Sequence, residues 1–238
     1  MRTGAVHDII EKARGRDGFP GNNLVAVRKV WKRNQESLND GLDEVRETME
    51  NAEKPEDGVG KEEEEFDDGW TELGISSNVK PSVTEVGRIK KMYTIVRLST
   101  LLHQRIFKDA LSTLSPSLPL NKDTHTMLDS LADGSSDFLT CSDNFISTMY
   151  PPQVAEHMDI ELEEYRQQLS NLQSKFDPLI PETSIEEQLQ KLRLSSSISK
   201  PTDHYTKLRK WYIACINQIN KNIYELEHEL KGSESPLA

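Results

Sequence analysis

Cysteine is scarce in this chain: its 238 residues contain only Cys141 and Cys215. Both sit inside apolar helical patterns, so they are expected as buried thiols and not as the disulfide framework of a small secreted fold. Long apolar runs are also missing. No stretch approaches the roughly 18 apolar residues that a membrane-spanning helix needs. The opening residues, MRTGAVHDIIEKARGRDG, have no apolar centre of the kind a secretory signal requires. Apolar residues make up 35% and charged residues 29%, enough to build a substantial core in one large or two small domains while leaving open polar segments. Basic residues are outnumbered, 29 Lys and Arg against 40 Asp and Glu, for a net charge of -11. That balance disfavours direct nucleic-acid binding, because a phosphate backbone would be repelled everywhere except at a local basic face.

Catalytic signatures are absent too. The chain has no P-loop, no GxGxxG, no HExxH and no CxxC. Gly58 and Gly60 form a close pair, but it never extends into a phosphate cradle, and acidic neighbours would repel the phosphate. The six histidines, His7, His103, His125, His157, His204 and His228, lie far apart. His125 with Asp129, or His157 with Glu161, supplies at most two ligands on one helix face, short of a zinc set. Solvated or capping histidines are the expectation. Glu161, Glu163 and Glu164 read as the wet side of a helix. No metal, no cofactor and no enzymatic reaction is read from these residues.

What is present is helical periodicity. From Asn23 to about Asn51, Leu24, Val27, Trp31, Leu38, Leu42, Val45 and Met49 recur at steps of mostly three and four, forming one apolar stripe. Asn34 interrupts the stripe and Gly41 weakens it. Similar patterns predict helices over 82–114, over 122–150 with a weak point at Gly134-Ser135-Ser136, over 153–176 and over 201–231. Shorter helices are expected at Thr3–Ala13 and Ser184–Leu194. Pro116, Pro119, Pro151, Pro152, Pro178 and Pro181 punctuate the series. The fold class that follows is all-α: a long-helix bundle, mostly antiparallel, with an acidic disordered loop. Residues 1–52 are expected to form an N-terminal helical hairpin of the bundle, 53–81 the acidic flexible loop, 82–231 the remaining bundle helices, and 232–238 a flexible tail. Trp31 and Trp211 are expected in the core or along a seam. Arg28, Lys29, Lys32 and Arg33, and more thinly Lys207, Arg209, Lys210 and Lys221, read as solvated helix faces.

The acidic segment is the most distinctive stretch. Nine acidic residues lie between Glu56 and Glu72 against one lysine, Lys61, so like charges keep it open. Glu62, Glu63, Glu64, Glu65, Asp67 and Asp68 surround Phe66, with Trp70 and Leu73 close behind. This set is the candidate partner-binding site: carboxylates to steer a basic partner and three apolar side chains to dock in a groove. A plain solvated tether explains the same residues. A calcium loop does not, because the mid-position glycine and closing glutamate are not in register.

Several pieces stand together in a telling order. Thr3-Gly4-Ala5-Val6 precedes a glycine-proline turn and Asn22-Asn23. Leu42-Asp43-Glu44-Val45 follows, then the acidic FDDGWTELG. Phe145-Ile146-Ser147-Thr148-Met149-Tyr150-Pro151-Pro152 comes later, and Trp211-Tyr212-Ile213-Ala214-Cys215-Ile216-Asn217 near the end. In this the chain resembles the Grap2 and cyclin-D-interacting protein family, also called cyclin-D1-binding protein 1-like. The resemblance covers nearly all of this chain and the C-terminal portion of the fuller family members. It implies an all-helical bundle of nucleus and cytoplasm that interacts with D-type cyclin-like or helix-loop-helix proteins and restrains cell-cycle progression. Homo-oligomer formation stays open, and the alternative is a structural or self-assembling helical scaffold.

Overall fold

Polar side chains set the starts of the first three helices. Helix α1 (Asn23–Glu53) begins where Asn22 accepts a hydrogen bond from the Val25 amide at 2.9 Å. Helix α2 (Val83–Asp109) begins in a capping box, in which Ser82 and Glu85 each satisfy the other's backbone N–H. A 3-10 turn, Leu111–Thr113, follows it. Helix α3 (Lys122–Ser147) is capped by Asn121, which accepts from the Thr124 amide at 2.8 Å. Helices α4 (Ala155–Phe176) and α5 (Pro201–Gly232) complete the set among the described residues. The computed structural model describes residues 7, 20–54, 80–115, 121–176 and 201–232, the last block with its side chains from residue 207. The short helix expected at Thr3–Ala13 apart from His7, the one expected at Ser184–Leu194, most of the acidic loop (55–79) and the tail 233–238 lie outside the described residues.

The helices close into a ring. Helix α1 packs between α2 and α3, α2 also packs on α5, α3 on α4, and α4 on α5. Contacts fix the directions. Trp31 meets His103 and Glu53 meets Lys90, so α1 and α2 are antiparallel. Lys91 pairs with Glu229 while Arg105 covers Trp211, so α2 and α5 are antiparallel. Phe145 packs on Tyr165 and Lys175 approaches Asp137, and Arg166 pairs with Glu227 while Phe176 packs on Tyr212. Those pairs make α3 and α4, and α4 and α5, antiparallel as well. Helices α1 and α3 run parallel: Asn23 bonds His125, Asn34 bonds Ser135, and Tyr150, just past α3, bonds Glu44. A ring with an odd number of members cannot alternate throughout, so one parallel pair is a geometric necessity.

The five stripes share one interior. Trp31, Phe138, Phe145, Tyr165, Val96, Leu169 and Ile219 are all buried in a single cluster, with Leu42 and Met49 half-buried against it. Each fully buried side chain of this kind contributes ~1.5–3 kcal/mol, which outweighs any surface ion pair. The described residues are all-α and contain no strand.

Several local expectations change. Asn34 does not interrupt α1: it is buried and donates to Ser135 at 3.0 Å and Ser136 at 3.2 Å. Gly134-Ser135-Ser136 does not weaken α3, which runs through it unbroken. A Cβ on Gly134 would lie 2.9 Å from the Lys175 side chain, so the Lys175 stem lies over the bare glycine backbone. Ile146 lies over Gly41 in the same way, also at 2.9 Å. Helix α2 stops at Asp109, before the expected Leu114, because Ser112 turns its hydroxyl to the Phe107 and Lys108 carbonyls at 2.7 Å.

Candidate functional site

Two polar features stand out, one sealed and one open. The sealed feature centres on His103, which is fully buried, contrary to the expectation of a solvated or capping histidine. Its ring stacks on Trp31 with centroids 4.4 Å apart, and Phe138 lies on its other flank at 6.3 Å. Nδ1 is 2.6 Å from Gln35 Oε1 and Nε2 is 2.8 Å from Ser135 Oγ. A neutral ring protonated on Nδ1 satisfies both contacts, donating to Gln35 and accepting from the Ser135 hydroxyl. Burial drives its pKa down to about 3, so it carries no charge at neutral pH. Such a ring joins α1, α2 and α3 but has no path to a substrate; it positions helices. Nearby, the buried Tyr165 hydroxyl lies beside those of Ser99 and Ser142, and burial pushes its pKa up.

The open feature is the seam between α4 and α5. Its apolar floor is Leu169 and Ile216, both buried. Gln167, Ser170 and Gln173 wall it from α4, and Asn220 and Tyr224 from α5. The cavity measures about 480 Å³. Ser170 and Asn220 are short polar side chains on facing walls of this hollow. Tyr224 is 64% exposed and Ile213 47%, which leaves apolar surface along the α5 rim. Phe176 against Tyr212 closes one end. The other end is an ionic cluster: Glu227 accepts from Arg166 at 2.5 Å and from Lys231 at 2.6 Å. The Lys231 ammonium first, and then the Arg166 guanidinium, hold the Glu227 carboxyl below its ordinary range. A second hollow of about 260 Å³, lined by Asp159, Leu162, Glu163 and this cluster, continues the groove. The arrangement offers amide and hydroxyl hydrogen-bonding groups and paired charges over a nearly closed apolar floor, with Tyr224 and Ile213 as the exposed apolar groups at its rim.

The candidate binding residues read from the sequence, Glu62, Glu63, Glu64, Glu65, Phe66, Asp67, Asp68, Trp70 and Leu73, lie outside the described residues. The groove went unseen in the sequence because Ser170, Gln173 and Asn220 occupy positions beside the stripes, where polar residues read as wet. Tyr224 was the available signal, an aromatic off the α5 stripe. Among the described residues no three His, Cys, Asp or Glu side chains gather as a metal set, and no helix is long and apolar enough to cross a membrane. His157 stands alone with Glu161 at 3.7 Å. Cys141 and Cys215 are free and buried, and burial raises the Cys215 thiol to about 11. Comparisons with protein-family models, with curated proteins and with solved structures return no match.

Proposed function

We propose that this chain is a non-enzymatic protein-interaction module of the Grap2 and cyclin-D-interacting kind, regulating cell-cycle progression in nucleus and cytoplasm by binding D-type cyclin-like or helix-loop-helix partners. The observation that carries the reading is the α4–α5 groove. Its occupant is one amphipathic helix of such a partner. The apolar ridge of that helix lies on Leu169 and Ile216 between Ile213 and Tyr224, its polar flanks meet Ser170, Gln173 and Asn220, and its charged end meets the Arg166–Glu227–Lys231 cluster. The acidic stretch from Glu62 to Asp68 steers basic partner surface toward the bundle, and Phe66, Trp70 and Leu73 add apolar contact.

The test titrates the purified chain with a purified D-type cyclin and with a helix-loop-helix domain. Ser170→Arg with Tyr224→Ala should weaken capture at least tenfold by filling the groove and removing its rim. Deleting Glu62 to Leu73 should slow association and reduce its dependence on salt. Failure of both partners to bind, or binding that ignores the groove substitutions, overturns the reading. Concentration-dependent sedimentation without any partner would favour the self-assembling scaffold instead.

A further inference from the structure

The charges of this acidic protein are sorted in space. At the end where α1 starts, α2 stops and α5 starts, residues 23–38, 96–109 and 207–218 carry ten basic side chains and two acidic ones, Glu36 and Asp109. Residues 39–53, 83–95, 137–147, 155–167 and 219–232, around the opposite end, carry seventeen acidic and seven basic side chains, three of the cations being Arg88, Lys90 and Lys91 at the start of α2. The start of α3 supplies Asp123, Asp129 and Asp133, which bound the basic face on that side.

The middle of the basic face is the outward side of α2. Arg97, Leu101, Gln104 and Lys108 recur there at helical spacing and are all exposed, with Leu101 at 40%. The bonds from Trp31 to the His103 carbonyl and from Gln35 to the Thr100 carbonyl set Lys32 alongside this row. On the other flank, Arg105 over Trp211 and Cys215 against the Leu98 carbonyl set Lys210 alongside it. The result is one apolar side chain ringed by cations on three adjacent helices.

We propose that this face docks an acidic peptide segment carrying a single apolar anchor, with the anchor on Leu101 and carboxylates on Arg97, Lys108 and their flanking lysines. The proposal does not depend on what occupies the α4–α5 groove. Size argues against a nucleic acid. Arg97 to Lys108 spans ~17 Å along the helix, which matches about five residues of extended peptide. Charges act over only about 8 Å at physiological salt, so the face attracts what lies on it and little beyond. A nucleic-acid duplex carries about one charge per 1.7 Å and continues past the face into the acidic half, where it is repelled. Stacking platforms for single strands are also missing from the row, since the indole of Trp211 is covered by Arg105.

The full chain is titrated, by fluorescence anisotropy at low salt and at physiological salt, with a labelled seven-residue Glu/Asp peptide bearing one central Leu. The same peptide with Ala in place of Leu, a twelve-nucleotide single strand and a short DNA duplex are the competing probes. Arg97→Glu with Lys108→Glu should weaken the Leu peptide at least tenfold. Arg46→Glu with Lys221→Glu, the same change in net charge on the far half, should move it less than twofold. Leu101→Asp and the Ala peptide should each lose about fivefold. Where circular dichroism finds the reversed pair misfolded, Arg97→Gln with Lys108→Gln replaces it, with a loss of at least threefold expected. Equal losses in the near and far pairs would mean a diffuse field and overturn the proposal, as would either nucleic acid binding more tightly than the Leu peptide.

Discussion

His103 shows how one side chain fixes a neighbourhood. Its ring nitrogens reach α1 and α3 while its own carbonyl accepts from Trp31 at 3.1 Å, so a shift of any of the three helices leaves a buried polar group without its partner. The same burial makes it a pH-sensitive element. The unfolded ring takes a proton below its ordinary value of 6.5, whereas the folded ring stays neutral down to about 3. The contribution to stability is therefore complete above pH 6.5 and is lost progressively as the pH falls toward 3. From neutral pH to about 4.5 the expected loss is about 2–3 kcal/mol. The depressed Glu85 and Glu227 carboxyls add their own losses only below their ordinary value of 4.5. Urea unfolding at a series of pH values checks this, and His103→Gln should flatten the curve between pH 5 and 6.5 while lowering its plateau. None of this was legible along the chain. A polar residue in or beside a stripe reads as an interruption or a wet position, and the partner that satisfies Asn34 stands 101 positions away. Gly134 and Gly41 misled for the same reason, since the side chains lying over them, Lys175 and Ile146, belong to other helices.

At the scale of the element, periodicity was a good guide to where helices run and a poor one to what ends them. The bounds of α1 and α5 follow their stripes within two residues, because each stripe has a partner along its whole length. The end of α2 is set locally by Ser112 and is held from outside as well. Arg28, expected as part of a solvated basic face, turns its guanidinium onto the carbonyls of Leu111 at 2.8 Å, Ser112 at 3.1 Å and Leu114 at 2.7 Å. These groups follow the negative end of α2, and a planar fork can serve three of them at once. Arg28→Ala should lower stability by about 1.5–3 kcal/mol, the range for charge-assisted hydrogen bonds. Arg28→Lys should recover less than half of that, since one ammonium cannot reproduce the fork. Chemical unfolding gives the magnitudes, and faster amide exchange confined to residues 106–114 would locate the damage. The candidate groove is the element-scale counterpart: each of its two helices looks ordinary alone, and only their pairing brings Ser170 and Asn220 to one hollow.

For the whole molecule, the ring of five helices and the sorting of charge act together. Ring closure brings the basic starts of α1 and α5 beside the basic end of α2, and it sets the acidic ends of α1, α3 and α5 around the acidic start of α4, with Arg88, Lys90 and Lys91 of the α2 start as the cations among them. Like charges therefore gather in each half, while the middles of the two halves stand roughly 23 Å apart, about half the length of α1 at ~1.5 Å per residue. That separation exceeds the ~10 Å over which charges interact at 0.1 M salt, so repulsion within a pole outweighs attraction between poles. Ion pairs partly relieve the crowding: Lys90 meets Glu53 at 2.6 Å, and Lys231 and Arg166 share Glu227. Exposed pairs of this kind contribute at most about 1 kcal/mol each, and salt screens them as well. The sign of the salt response decides which effect wins. If crowding dominates, raising sodium chloride from about 20 mM to 0.5 M should stabilise the fold by roughly 1 kcal/mol, a few pairwise repulsions at a few tenths each. Calorimetric unfolding across that range measures it. Arg97→Gln with Lys108→Gln should reduce the salt-dependent gain by thinning the basic pole, whereas a Tm that falls with salt would mean that the ion pairs, and not the like-charge clusters, govern the electrostatics of the bundle.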